Sequence, residues 1–171
     1  NIRFCIMSMH IKIKKNKFYY NDYKVKCAVG KRGISIKRKE GDNITPIGSF
    51  KIKYVLFRKD RILNIKTNLK KIPIKKNMGW CNEPNSQYYN KLISFPFFHS
   101  AEKLYLKNNI YDVIIVINFN MNPIIKNKGS AIFLHIAKKN YKKTAGCVAI
   151  SKKDMKKVLS KINSKTKINI Y

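Results

Sequence analysis

The sequence predicts a mainly β single domain, residues 1–171, with one or two helices and a long irregular insert at about 58–102. Three observations carry this reading. Apolar and polar residues alternate with period two over much of the chain, as in strands that separate a core from water. Residues 113–117 are five consecutive β-branched residues. One segment alone combines helical spacing with a capping signal.

In chain order, Ile11, Ile13, Phe18, Tyr20 and Tyr23 are separated by polar residues. Val25, Cys27 and Val29 then alternate with lysines, and Ile34 and Ile36 continue the pattern. A turn signal, Thr45-Pro46-Ile47-Gly48, precedes a strand with Phe50, Ile52, Tyr54 and Leu56 on one side. Pro and Gly set the backbone angles there, so Thr45 and Gly48 are read as turn residues.

The segment 58–102 breaks the alternation. It holds Pro73, Pro84 and Pro96, is rich in Asn, and clusters Trp80, Tyr88, Tyr89, Phe95, Phe97 and Phe98. A long ordered excursion of this kind is commonly a lid or a binding loop. Two readings stand together: a lid packed by its own aromatics, and a substrate wall to which Trp80 and Glu83 contribute.

Strands resume at residues 113–117, long and apolar enough to be buried on both faces. A turn at 120–123 and Gly129 leads to an apolar strand, 130–136, with His135 near its end. A short strand follows at 147–150. Ser151 and Asp154 form an S-x-x-D capping pair. Met155, Val158, Leu159 and Ile162 then make one apolar helical face. Residues 166–170 alternate again and close the domain as a strand.

Composition narrows the function classes. The chain carries 38 Lys and Arg against 8 Asp and Glu, a formal charge of +30. Its 44% hydrophobic content excludes an intrinsically disordered protein despite that charge. The residues contain no apolar run long enough for a membrane-spanning helix. The excess of Lys, Asn and Ile together reads as codon bias, giving a solvated lysine-rich surface. A basic surface for a polyanion is the alternative, and no nucleic-acid-binding motif accompanies it. Cys5, Cys27, Cys81 and Cys147 form no C-x-x-C pair, and His10, His99 and His135 lack zinc-finger spacing. No metal site is expected, and disulfides are permitted rather than demanded. Residues 2–9 are apolar but short, include Arg3 and lack a small-residue cleavage site, so no export signal is visible there.

Chemistry concentrates at His135 and Cys147, twelve residues apart (135 to 147). A thiol needs a base to act as a nucleophile near neutral pH, and an imidazole suits that task. Gly146 lets the backbone turn tightly before Cys147 and aim amides at an oxyanion. On spacing alone, an inert buried cysteine and a core histidine remain the more ordinary reading.

Three ordered motifs change that weighting: Gly41-Asp42-Asn43-Ile44-Thr45-Pro46-Ile47-Gly48-Ser49-Phe50, the His135 strand Gly129-Ser130-Ala131-Ile132-Phe133-Leu134-His135-Ile136, and Thr144-Ala145-Gly146-Cys147-Val148-Ala149. Together they resemble the L,D-transpeptidase catalytic-domain family (YkuD-like). Gly79-Trp80-Cys81-Asn82-Glu83-Pro84 and Tyr88-Tyr89-Asn90 look like a branch of it with a long central insert. The likeness runs from about residue 24 to 162. Two positions depart from the family box: Ala145 stands where the family has His, and Ala149 where it has Arg or Asn. The interval from His135 to Thr144 is also short.

The resemblance implies an L,D-transpeptidase-like β-sandwich. It implies a bacterial cysteine acyltransferase of peptidoglycan biosynthesis that needs no cofactor and forms 3→3 cross-links between stem peptides through a thioester. In that reading Cys147 is the nucleophile and His135 its base. A backbone carbonyl near Ile136 or in the facing loop orients the imidazole, and Gly146 with Cys147 supplies oxyanion amides. Thr144, Ala145, Trp80 and Glu83 are the candidate substrate contacts. The implied partners are peptidoglycan stem peptides and carbapenem-type inhibitors, and the implied location is the periplasm or cell envelope. Two alternatives remain beside it: an L,D-carboxypeptidase, with water as acceptor, and an inactive peptidoglycan-binding module.

Overall fold

The computed structural model describes residues 9–171. The readings made of residues 2–8, and of Cys5, lie outside the described residues. The fold is mainly β, as expected. The strands are β1 (Ile11–Lys14), β2 (Lys17–Tyr20), β3 (Tyr23–Lys26), β4 (Ile34–Ser35), β5 (Thr45–Pro46), β6 (Gly48–Phe57), β7 (Lys71–Pro73), β8 (Met78–Cys81), β9 (Leu92–Ser94), β10 (Ala101–Lys103), β11 (Val113–Ile117), β12 (Phe133–Ile136), β13 (Val148–Ile150) and β14 (Lys167–Ile170). Among the described residues the one α-helix, α1, is Lys152–Leu159, and a 3-10 turn covers Lys139–Tyr141.

Nine strands form one mixed sheet in the order β13-β12-β11-β6-β14-β1-β2-β3, with β7 added alongside β6. The sheet curls until its ends meet. Just past β3, Ala28 exchanges both backbone hydrogen bonds with Ala149, at 2.8 and 2.9 Å. Thr144 N–H donates to Val29 O at 3.0 Å, and Lys31 N–H to Thr144 O at 2.9 Å. Covering an edge in this way satisfies its unpaired amides and carbonyls. Ile11, Ile13, Phe18 and Tyr20 from one end of the sheet share a core with Leu134, Val148 and Ile150 from the other. The two halves therefore face one another across that core, as in a sandwich.

Strand β11 is buried along its whole length because it serves two cores. Val113, Ile115 and Ile117 enter the first core. Ile114 and Val116 point the other way, into a second core with Leu56, Trp80, Leu104, Tyr111, Phe133 and Cys147. Helix α1 seals the first core with Met155, Val158 and Leu159. Ser151 caps it as expected, its hydroxyl accepting from Asp154 N–H at 3.1 Å.

The insert is mostly loop, threaded through a small sheet in the order β10-β8-β9. These strands show no legible alternation in the sequence because each has only three or four residues. This layer folds over the outer face of β11 and β12 and so forms one wall of the site. Thr45 and Pro46, expected as turn, pair with β4 as a short parallel bridge.

Candidate functional site

Strands β12 and β13 run parallel, with Leu134 opposite Val148 and His135 opposite Ala149. Period-two alternation then sends Leu134, Ile136, Val148 and Ile150 into the first core. Phe133, His135 and Cys147 are left on the opposite face. His135 and Cys147 thus come from neighbouring strands on one side of the sheet, and both line a single cleft of about 590 Å³.

Cys147 is held firmly. Its thiol donates to Ala131 O at 3.1 Å, and its sulfur accepts Phe133 N–H at 3.3 Å. Ala131 sits at φ 53, a left-handed conformation rare for a non-glycine residue. Gly146 has φ +146, and a Cβ there would lie 3.0 Å from Ile44 O and 3.1 Å from the Ile132 side chain. Only glycine fits comfortably, which is why the residue before the thiol is Gly. Thr144 braces the same turn: its hydroxyl donates to Cys147 O at 2.6 Å and accepts Gly146 N–H at 3.1 Å. The Gly146 amide, expected to face an oxyanion, is therefore engaged by Thr144.

The imidazole of His135 is oriented through Nδ1, 2.9 Å from Ile136 O. A carbonyl can only accept, so Nδ1 carries the proton and Nε2 keeps its lone pair. The Tyr111 ring stands edge-on to the imidazole, centroids 5.3 Å apart. The Tyr111 hydroxyl donates to Glu102 at 2.5 Å.

Burial governs the electrostatics. It pushes the Cys147 thiol up to about 12, with the Glu102 carboxylate adding to the rise and the Phe133 amide and Lys37 opposing it. It pulls His135 down to about 4; the Ile136 carbonyl opposes this and Lys138 reinforces it. The resting pair is thus a neutral thiol and a neutral imidazole.

Of the expected substrate contacts, Thr144 and Ala145 line the cleft. Trp80 and Glu83 do not. Trp80 is buried, edge-on against Phe133 at 5.0 Å, because its apolar bulk completes the second core. Its Nε1–H donates to Asn90 Oδ1, which also accepts Ala131 N–H. Asn90 Nδ2 in turn donates to the carbonyls of Phe119 and Asn120. Trp80 therefore braces the segment that holds the thiol rather than forming a substrate wall. The Glu83 carboxylate accepts the nearby Asn85 amide. Cys27 and Cys81 are buried and lie away from the cleft.

Sequence reading missed Glu40, Glu102, Tyr111 and Asn90 as parts of this region, and it read Thr45 too narrowly. Thr45 is fully buried; its hydroxyl accepts Gly30 N–H and donates to Gly146 O. Lys31, Lys37, Lys138, Lys142 and Lys143 line the cleft together with Glu40 and Glu102. Among the described residues no cluster of His, Cys, Asp and Glu is arranged to hold a metal, and no helix is long and apolar enough to cross a membrane.

No curated protein matches the chain. The family model for YkuD, the L,D-transpeptidase catalytic domain, matches residues 8–170.

Proposed function

The chain belongs to the L,D-transpeptidase catalytic-domain family, and from that premise we propose that it is a cysteine-dependent peptidoglycan L,D-transpeptidase forming 3→3 cross-links in the cell envelope. The observation that carries the reading is the shared cleft: a thiol fixed by Ala131 and Phe133, and an imidazole whose Nε2 is left available by the Nδ1 contact to Ile136.

The acyl donor is a stem tetrapeptide. Its third-residue carbonyl approaches Cys147, and its carboxylates are drawn to the lysines of the cleft. With the thiol near 12 and the imidazole near 4, forming thiolate and imidazolium beforehand would cost on the order of 10 kcal/mol. Proton transfer to His135 Nε2 therefore accompanies attack instead of preceding it. The sulfur–carbon bond forms, and the carbonyl oxygen takes up negative charge. In this reading the Cys147 amide is the oxyanion donor, since the Gly146 amide is bound to Thr144. The imidazolium then protonates the departing D-alanine amine, leaving a thioester on Cys147. An amine on a second stem takes the acyl group, the carbon–sulfur bond breaks, and the proton returns to sulfur by way of His135.

Ala145 and Ala149, in place of the family's His and Arg or Asn, favour a second reading: a peptidoglycan-binding module with an inert thiol. Incubation with disaccharide-tetrapeptide separates the two. The transpeptidase reading expects D-alanine release that falls by several orders of magnitude in Cys147→Ala. Absence of release from the parent, or equal release from the variant, overturns it.

A further inference from the structure

We propose that Glu40, Glu102 and Ser130 form an ammonium-binding subsite beside Cys147, where the amine of the acceptor stem docks; the assignment to an acceptor rests on the transpeptidase reading.

The first observation is a charge imbalance. The chain has 38 basic residues and only three glutamates, Glu40, Glu83 and Glu102. Among the described residues, Asp42, Asp60 and Asp112 each pair with Lys or Arg. None of these ion pairs engages a glutamate. Yet two of the three glutamates line the one cleft that holds Cys147. Each accepts a hydrogen bond from a neutral tyrosine instead: Glu40 from Tyr89, and Glu102 from Tyr111. The cleft also carries lysines, Lys37 among them held by Asp42, but among the described residues none is ion-paired with either glutamate, so both carboxylates keep their charge for a ligand. The two lie near enough for Glu40 to act on Glu102 electrostatically.

A second, independent observation points to a ligand. Ser130, 6% exposed, also lines the cleft, and its Oγ is a buried side-chain polar atom with no hydrogen-bond partner at normal geometry. The neighbouring Tyr89 hydroxyl donates to Glu40 and accepts Gly129 N–H, and the Ser130 hydroxyl acts on it only as a weak donor, so the Ser130 oxygen itself receives no hydrogen bond. A buried hydroxyl oxygen that receives no hydrogen bond is costly and marks a place an N–H donor can satisfy. Ser130 immediately precedes Ala131, whose carbonyl receives the Cys147 thiol.

The chemistry matches an alkyl ammonium. It offers three N–H donors and one positive charge; two carboxylates and a hydroxyl offer three acceptors and negative charge. The lysines that line the cleft suit the donor's carboxylates. The two glutamates would repel those carboxylates and draw the acceptor's amine. In the transfer step the bound ammonium first loses one proton to the Glu102 carboxylate, which passes it to solvent. The neutral nitrogen then attacks the thioester carbon: a carbon–nitrogen bond forms, the carbon–sulfur bond breaks, and the second nitrogen proton reaches sulfur through His135. The products are an amide, the free thiol and one proton in solution.

The test uses the full chain with disaccharide-tetrapeptide as donor and acceptor, and reads the ratio of cross-linked dimer to hydrolysed tripeptide by mass spectrometry. This ratio does not depend on how fast the thioester forms. Glu102→Gln and Glu40→Gln are each expected to lower it about tenfold, the scale of one lost hydrogen bond to a charged group. Hydroxylamine, uncharged at neutral pH, should give an unchanged hydroxamate-to-tripeptide ratio in the same variants. An unchanged dimer ratio, or an equal loss with both nucleophiles, overturns the subsite. A parent that releases no D-alanine counts against the transpeptidase reading, and the subsite is then decided by binding. Nα-acetyl-lysine amide should shift the backbone amide resonances of Ser130 and Ala131 in the parent but not in the Glu40→Gln, Glu102→Gln double variant. No shift in the parent overturns it.

Discussion

Thr45 donates its hydroxyl to the Gly146 carbonyl at 2.7 Å, joining residues 101 positions apart. The same oxygen accepts the Gly30 amide at 2.8 Å. One fully buried side chain thereby ties the Thr45-Pro46 bridge and the chain beyond β3 to the turn before the nucleophile. Thr45→Val keeps the shape but strands a buried amide and a buried carbonyl. The expected loss is about 2–4 kcal/mol of stability, or roughly 10 °C in Tm. Thr45→Ser should recover most of it. Thermal denaturation of the three proteins checks this, and a parent-like Tm for Thr45→Val would show the bond to be dispensable.

The neutral histidine predicts a particular acid sensitivity. The folded protein holds His135 near 4, against an ordinary 6.5. Between those values the unfolded chain takes up a proton that the native state refuses, so stability is present above about 6.5 and is lost as pH falls toward 4. The contribution is about 2–3 kcal/mol between pH 7 and 4.5. Urea unfolding at these two pH values should show His135→Gln losing less stability than the parent by that amount. Identical losses would mean that His135 is not held neutral.

Trp80 should behave as a brace. Trp80→Ala removes a large side chain from the second core and its bond to Asn90, and is expected to cost about 3–5 kcal/mol. Trp80→Phe keeps most of the packing and loses chiefly the indole N–H donor. Because Asn90 also holds Ala131, Trp80→Phe should slow acylation of Cys147 while leaving donor KM unchanged. A raised KM with an unaltered acylation rate would restore Trp80 to the substrate wall.

Much of the fold was legible because half-buried strands advertise themselves. The alternation at Ile11 and Ile13, or at Phe50 and Ile52, needs no tertiary knowledge, and Ser151 with Asp154 announces α1. The His135 and Cys147 motifs were legible too, and parallel pairing of β12 with β13 puts them on one face. What stayed hidden depends on distant contacts. Glu40 and Glu102 are far apart in the chain and inconspicuous in a lysine-rich sequence. The strands β8, β9 and β10 are too short to display a period. Trp80 looked like a ligand contact because exposed and buried aromatics are alike in sequence; only the Phe133 ring against it reveals its place.

The most direct measurement is intact-protein mass spectrometry after exposure to a carbapenem, followed by peptide mapping. The account predicts a single adduct on Cys147, none on the buried Cys27 or Cys81, and adduct formation slowed by orders of magnitude in His135→Ala. An unmodified protein, or modification at the same rate without His135, would contradict it.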